Sequence, residues 1–130
     1  MNQQKHIEHW LASAGKDWDV LLHLMKGKKY VHTLFFGHLY LEKLSKALWV
    51  QNNKENYPPK THNLLKILSE ANVTLNEDAQ LFLLKLNKYQ IEGRYPEDIE
   101  KLYAITHKEL ATEYINKIKH LDKCLRKQLQ

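Results

Sequence analysis

One stretch of the chain, Phe36-Gly37-His38-Leu39-Tyr40-Leu41-Glu42-Lys43-Leu44-Ser45-Lys46-Ala47-Leu48, sets ionisable side chains inside a run that otherwise reads as buried helix. At helical spacing His38, Glu42 and Ser45 share one strip, Lys46 stands one turn beyond Glu42, and Lys43 lies on the neighbouring face. Burying a charge is costly unless it is paired, so this strip demands a role. Two arrangements satisfy it. In one, His38, Glu42, Lys43 and Lys46 form a polar cleft whose lysines hold a phosphate or a partner's acidic group. In the other, Glu42 pairs Lys46 at i,i+4 while His38 finds a backbone carbonyl or a tyrosine hydroxyl. Burial of the strip would favour the cleft.

Two further segments carry chemistry. Thr61-His62-Asn63-Leu64 is expected to put His62 in the first turn of a helix, where free backbone N–H groups attract anions, although the favoured reading of His62 is neutral and structural, packed beside the prolines. Arg94, in Arg94-Tyr95-Pro96, has the planar fork that clamps a phosphate bidentately; it could instead pair Glu42 and fix its loop to the core. His6 and His9 with Glu8 lack two further ligands at helical spacing, so no metal site is expected. Trp10, Trp18 and Trp49 lie on apolar stripes and read as core or interface. There is no glycine-rich phosphate loop, no Gly-x-Ser-x-Gly elbow and no sign of a cofactor.

These residues need helices to position them. Ile7, Trp10, Leu11, Ala14, Trp18, Leu21, Leu22 and Met25 recur at spacings of three and four, predicting a helix over 4–26 that Gly27 stops. A second, over 30–51, is apolar nearly all round, the pattern of a central or interface helix. Residues 52–60 read as a loop, held extended at its end by Pro58 and Pro59. Thr61 is expected to cap a short helix, and Asn76 a fourth over 76–91 with Glu77 and Asp78 in its first turn. Gly93 is expected to be left-handed in the loop 92–98, followed by a short turn over 99–103. Thr106-His107-Lys108-Glu109 has the pattern of a capping box opening the last helix. The expectation is an all-α, up-and-down antiparallel bundle of four to five main helices in one domain, 1–130.

Composition narrows the class. At 130 residues and 43% hydrophobic, the chain is large enough for one real core, and four glycines with three prolines suit helices better than strands. A net charge of +5 suits an anionic partner without demanding one, and the lysines and arginine between Lys117 and Lys127 read as a solvated helix face. Cys124 is alone, so no intramolecular disulfide or cysteine metal site is available and a reducing compartment fits. Nothing resembles a signal peptide or a membrane span, and the protein is expected to be soluble and cytoplasmic.

Four groups of residues then match a known pattern: Trp10 with Ala14 and Asp17; His38-x-x-x-Glu42-Lys43-x-x-Lys46-Ala47; Pro58-Pro59-Lys60-Thr61-His62-Asn63-Leu64; and Arg94-Tyr95-Pro96. In this order, over nearly the whole length, the chain resembles the HEPN domain (higher eukaryotes and prokaryotes nucleotide-binding) in its stand-alone prokaryotic branch. The resemblance implies a helical bundle that pairs into a homodimer, and often a minimal nucleotidyltransferase as partner. It also implies a candidate nucleotide-, RNA- or partner-binding set of His38, Glu42, Lys43, Lys46, His62, Arg94 and Tyr95.

Several relatives in that family are ribonuclease toxins of toxin–antitoxin pairs, acting through an Arg-x(4–6)-His motif. This chain departs from it. Tyr95 follows Arg94, the next histidine after Arg94 is His107, thirteen positions on, and Arg126 has none after it. RNA cleavage without metal needs a base near the 2′-hydroxyl and a cation near the phosphate in fixed geometry. The expected protein is therefore a non-catalytic binding module. The alternatives are a ribonuclease that assembles Arg94 with His62 or His107 from a distance, and a scaffold without ligand.

Overall fold

In a computed structural model describing residues 2–130, the chain forms six α-helices packed antiparallel, and no strand occurs among the described residues. They are α1 (Gln3–Lys26), α2 (Tyr30–Asn53), α3 (Leu64–Glu70), α4 (Glu77–Ile91), α5 (Pro96–Ile105) and α6 (Lys108–Arg126). A single 3-10 turn, Glu92–Arg94, joins α4 to α5.

The sequence supplies most of the helix ends. Asn2 caps α1 by accepting from Lys5 N at 2.9 Å, and Asn76 caps α4 by accepting from Ala79 N at 2.8 Å. Gly27 ends α1, but at φ −80°; the left-handed residue of that turn is Lys28. Four expectations need correction. Asn63, not Thr61, caps α3, so His62 precedes the helix instead of standing in its first turn. Gly93 lies in the 3-10 turn, and no glycine among the described residues has a positive φ. Thr106 does not cap α6: its buried hydroxyl is bonded to Tyr89 Oη at 2.7 Å, leaving His107 to accept from Leu110 N at 3.3 Å. The short turn expected over 99–103 is in fact the whole of α5, because Pro96 stands at a helix start, where a missing N–H costs nothing.

α2 is the axis of the fold. It runs along α1 and also meets α3, α4, α5 and α6. Fifteen of its 24 residues are buried, against five of 24 in α1, which is why its apolar residues show no single face. Gly37 lets α6 approach closely, since a Cβ there would lie 2.6 Å from Ile118 Cδ1. Leu34, Leu41, Leu44 and Leu48 of α2 join Ile67, Leu86, Leu102, Ile118 and Leu125 in one core, and at about 1.5–3 kcal/mol per fully buried side chain this is the main stabilisation.

Candidate functional site

Glu42, only 4% exposed, is the hub of the polar strip on α2. Its Oε2 accepts from Lys46 Nζ at 3.1 Å, and its Oε1 accepts from His62 Nδ1 at 2.9 Å. Lys46 is buried too, with its ammonium 5.4 Å from the centroid of the Trp10 ring on α1. Lys43 Nζ lies 2.7 Å from Asp17 Oδ2, also on α1, at an angle poor for a hydrogen bond, so charge holds the pair. Both lysines are thus committed inside the fold. The strip is buried, and its lysines nonetheless pair internally instead of lining a cleft.

His38 lies one turn before Glu42 and is completely buried. The expectation that it bonds a carbonyl or a tyrosine hydroxyl is not met: neither ring nitrogen has a hydrogen-bond partner. Burial pushes its pKa down from 6.5 to about 4. The Glu42 carboxylate opposes that shift, whereas the charges of His62 and Arg94 add to it. His38 is therefore neutral at pH 7, and its 3.8 Å approach to Glu42 Oε1 is not an ion pair. Asn87 of α4 also stands beside the ring and favours its protonation, without closing a well-formed bond to either nitrogen.

Two residues far apart in sequence meet the strip at its surface. His62, whose side chain is 53% exposed, reaches in from the loop before α3. Because an ionised Glu42 only accepts, a neutral His62 donates from Nδ1 and keeps Nε2 as an acceptor. Arg94 comes from the turn after α4. Its Nε donates to Gln90 O at 3.0 Å and its guanidinium carbon lies 5.6 Å from the Phe35 ring centroid, so the fork is oriented while its terminal nitrogens make no protein hydrogen bond among the described residues. Arg94 does not pair Glu42, which instead meets His38, Lys46 and His62.

The remaining expected residues lie elsewhere or play lesser parts. Tyr95 is 56% exposed at the start of α5, next to Arg94. His107 has its polar contacts in its own helix, with Leu110 N and with Glu109 Oε2 at 3.0 Å, and does not join the strip. Among the described residues no group of three or more His, Cys, Asp or Glu is placed to hold a metal, and no helix is long and apolar enough to cross a membrane. Asn87 and Phe35 were missed by sequence reasoning. Asn87 carries a signal of its own: with the buried Gln90 at i+3 it makes a polar pair on an otherwise apolar side of α4.

Known families bear directly on this arrangement. The HEPN domain model matches residues 7–128, from the first buried turn of α1 to just past the end of α6, and so spans every residue of the strip together with His62 and Arg94. No curated protein and no solved structure gives a significant match. With nearly the whole chain inside the match, and with Glu42 at the centre of a polar strip on its central helix, the chain belongs to the HEPN domain family.

Proposed function

We propose that this protein is a non-catalytic HEPN module that binds a phosphate-bearing ligand, a nucleotide or RNA, at the surface of the Glu42 strip. It does so as a homodimer and as the partner of a minimal nucleotidyltransferase. One observation carries the binding site: Arg94 and His62, 32 positions apart, both come within electrostatic reach of His38, and the terminal donors of Arg94 have no protein hydrogen-bond partner among the described residues. A guanidinium oriented in advance and free of a carboxylate suits phosphate, since little side-chain freedom remains to be lost on binding. Lys43 and Lys46, paired with Asp17 and Glu42, hold the strip together and are not the cations of the site.

The homodimer draws support from Leu84 and Ile91 of α4 and Tyr95 beside Arg94, all at least half exposed. The nucleotidyltransferase rests on family membership, because HEPN proteins often occur with one. Thermal melting with millimolar ATP or GTP tests the site. The reading expects stabilisation of the parent that Arg94→Ala removes and Lys43→Gln keeps, since a ligand bound only by the folded state raises its stability. No shift with the parent, or an equal shift with Arg94→Ala, refutes it.

A second reading is favoured by a specific contact. His62 Nδ1 is oriented by a buried carboxylate, the arrangement that prepares Nε2 of a histidine as a general base, and Arg94 supplies a cation. That is the chemistry of an RNA-cleaving enzyme with unusual spacing. Degradation of RNA by the parent that is lost in both His62→Ala and Arg94→Ala would select this reading over the non-catalytic one.

A further inference from the structure

The loop between α2 and α3 is pinned to the helix pair at two points. At one end His62 bonds Glu42; at the other the Tyr57 ring meets the His6 ring of α1, with centroids 5.4 Å apart and planes at 71°. Between them Pro58 and Pro59 fix the chain, and Thr61 N donates to Pro59 O at 2.9 Å. His6 is buried, whereas Tyr57 is 80% exposed, the most open large hydrophobic side chain among the described residues. A T-shaped contact occupies no more than one face of the tyrosine ring. The other face looks into solvent from a backbone that the following proline keeps extended.

We infer that Tyr57, braced by His6, is a base-stacking platform, so that the ligand of the site is a single-stranded polynucleotide running from Arg94 past His62 to Tyr57. This rests on the phosphate-binding reading of Arg94 and His62 and adds a second subsite to it. The contacts place the platform at a defined remove. Gln3, one turn before His6 on α1, bonds the carbonyls of Val50 and Gln51, whereas His62 bonds Glu42. Because Trp10 of α1 meets Lys46, His6 stands between the levels of Lys46 and Val50 on α2, whereas Arg94 packs on Phe35, at least eleven residues and about 16 Å back along the axis, with Glu42 and His62 between them. Stacked nucleotides rise about 3.4 Å each along one strand, so such a span takes several nucleotides and exceeds a mononucleotide. The surface between the two subsites also supplies Lys60, which is exposed and in no ion pair among the described residues. Aromatic platforms alternating with cations are how proteins hold single strands without reading sequence, since every base has a π-face.

Fluorescence anisotropy with a labelled eight-nucleotide oligouridylate, with ATP as competitor, tests this on the full chain. The parent should bind the oligonucleotide more tightly than ATP. Tyr57→Ala should weaken the oligonucleotide roughly tenfold, Tyr57→Phe should restore it to within twofold, and neither should change the competition by ATP. Arg94→Ala should weaken both ligands. If Tyr57→Ala binds the oligonucleotide as the parent does while Arg94→Ala does not, the platform is refuted and the phosphate site stands. If the parent binds neither ligand, the underlying reading fails and the platform with it. Sedimentation of the same variants closes the other route: a dimer that Tyr57→Ala converts to monomer makes Tyr57 a subunit contact and overturns the platform.

Discussion

α2 carries two polar clusters of opposite character. On the side facing α6, Tyr40 Oη donates to Asp122 Oδ1 at 2.6 Å and accepts from Arg126 at 3.2 Å, and Arg126 Nε closes the triangle to Asp122 at 2.7 Å. Every member has a partner. Burial and the neighbouring Asp122 raise the Tyr40 pKa, so the phenol stays a donor at any physiological pH. On the other side the Glu42 strip is more deeply buried yet incompletely satisfied: His38 has two idle nitrogens, Asp17 Oδ2 lacks a hydrogen bond, and Arg94 faces outward with donors to spare. A cluster that only ties helices together closes its bonds. One that leaves them open beside an exposed histidine and arginine has the form of a site.

This contrast can be broken by measurement. The largest effect is expected from Glu42→Ala, which strands a buried Lys46 and releases His62. Unfolding in urea should show a loss of about 3–5 kcal/mol, and a loss below that of disrupting the Tyr40 cluster would deny Glu42 its place as hub. Next is pH. Between about 4 and 6.5 the unfolded chain binds a proton at position 38 that the folded chain refuses, so stability should fall as pH drops through that window. The loss approaches about 3 kcal/mol below pH 4, and in His38→Gln melting curves this component of the slope should vanish. Arg94→Ala, at an exposed position, should leave stability within about 0.5 kcal/mol while costing ligand affinity by at least about tenfold. Smallest is Tyr40→Phe, expected to cost about 1 kcal/mol in urea unfolding with no change in ligand binding. If Tyr40→Phe impaired binding as Arg94→Ala does, the two clusters would not differ in function.

Much of this was legible in the chain itself. The 3.6-residue periodicity marks α1, α2, α4 and α6, and their order with short connections implies an antiparallel bundle. The Glu42–Lys46 pair follows from spacing alone. Local patterns misled where a side chain had a choice: Thr106 looks like a cap, but a buried Tyr89 offers its hydroxyl a better partner, and Thr61 yields the capping position to Asn63. Such choices are set by groups distant in sequence, which no local pattern contains.

What the sequence determined by itself is the helical class, the family and the strip of ionisable residues on α2, because each depends on residue types at fixed short spacing. The tertiary structure decided the rest. It committed Lys43 to Asp17, left His38 neutral and unpartnered, and brought His62 to Glu42 and Arg94 within electrostatic reach of His38 while keeping His107 away. The physical reason is that a charge's role depends on who neutralises it, and partners 20 residues or more away in the chain are assigned only when helices pack.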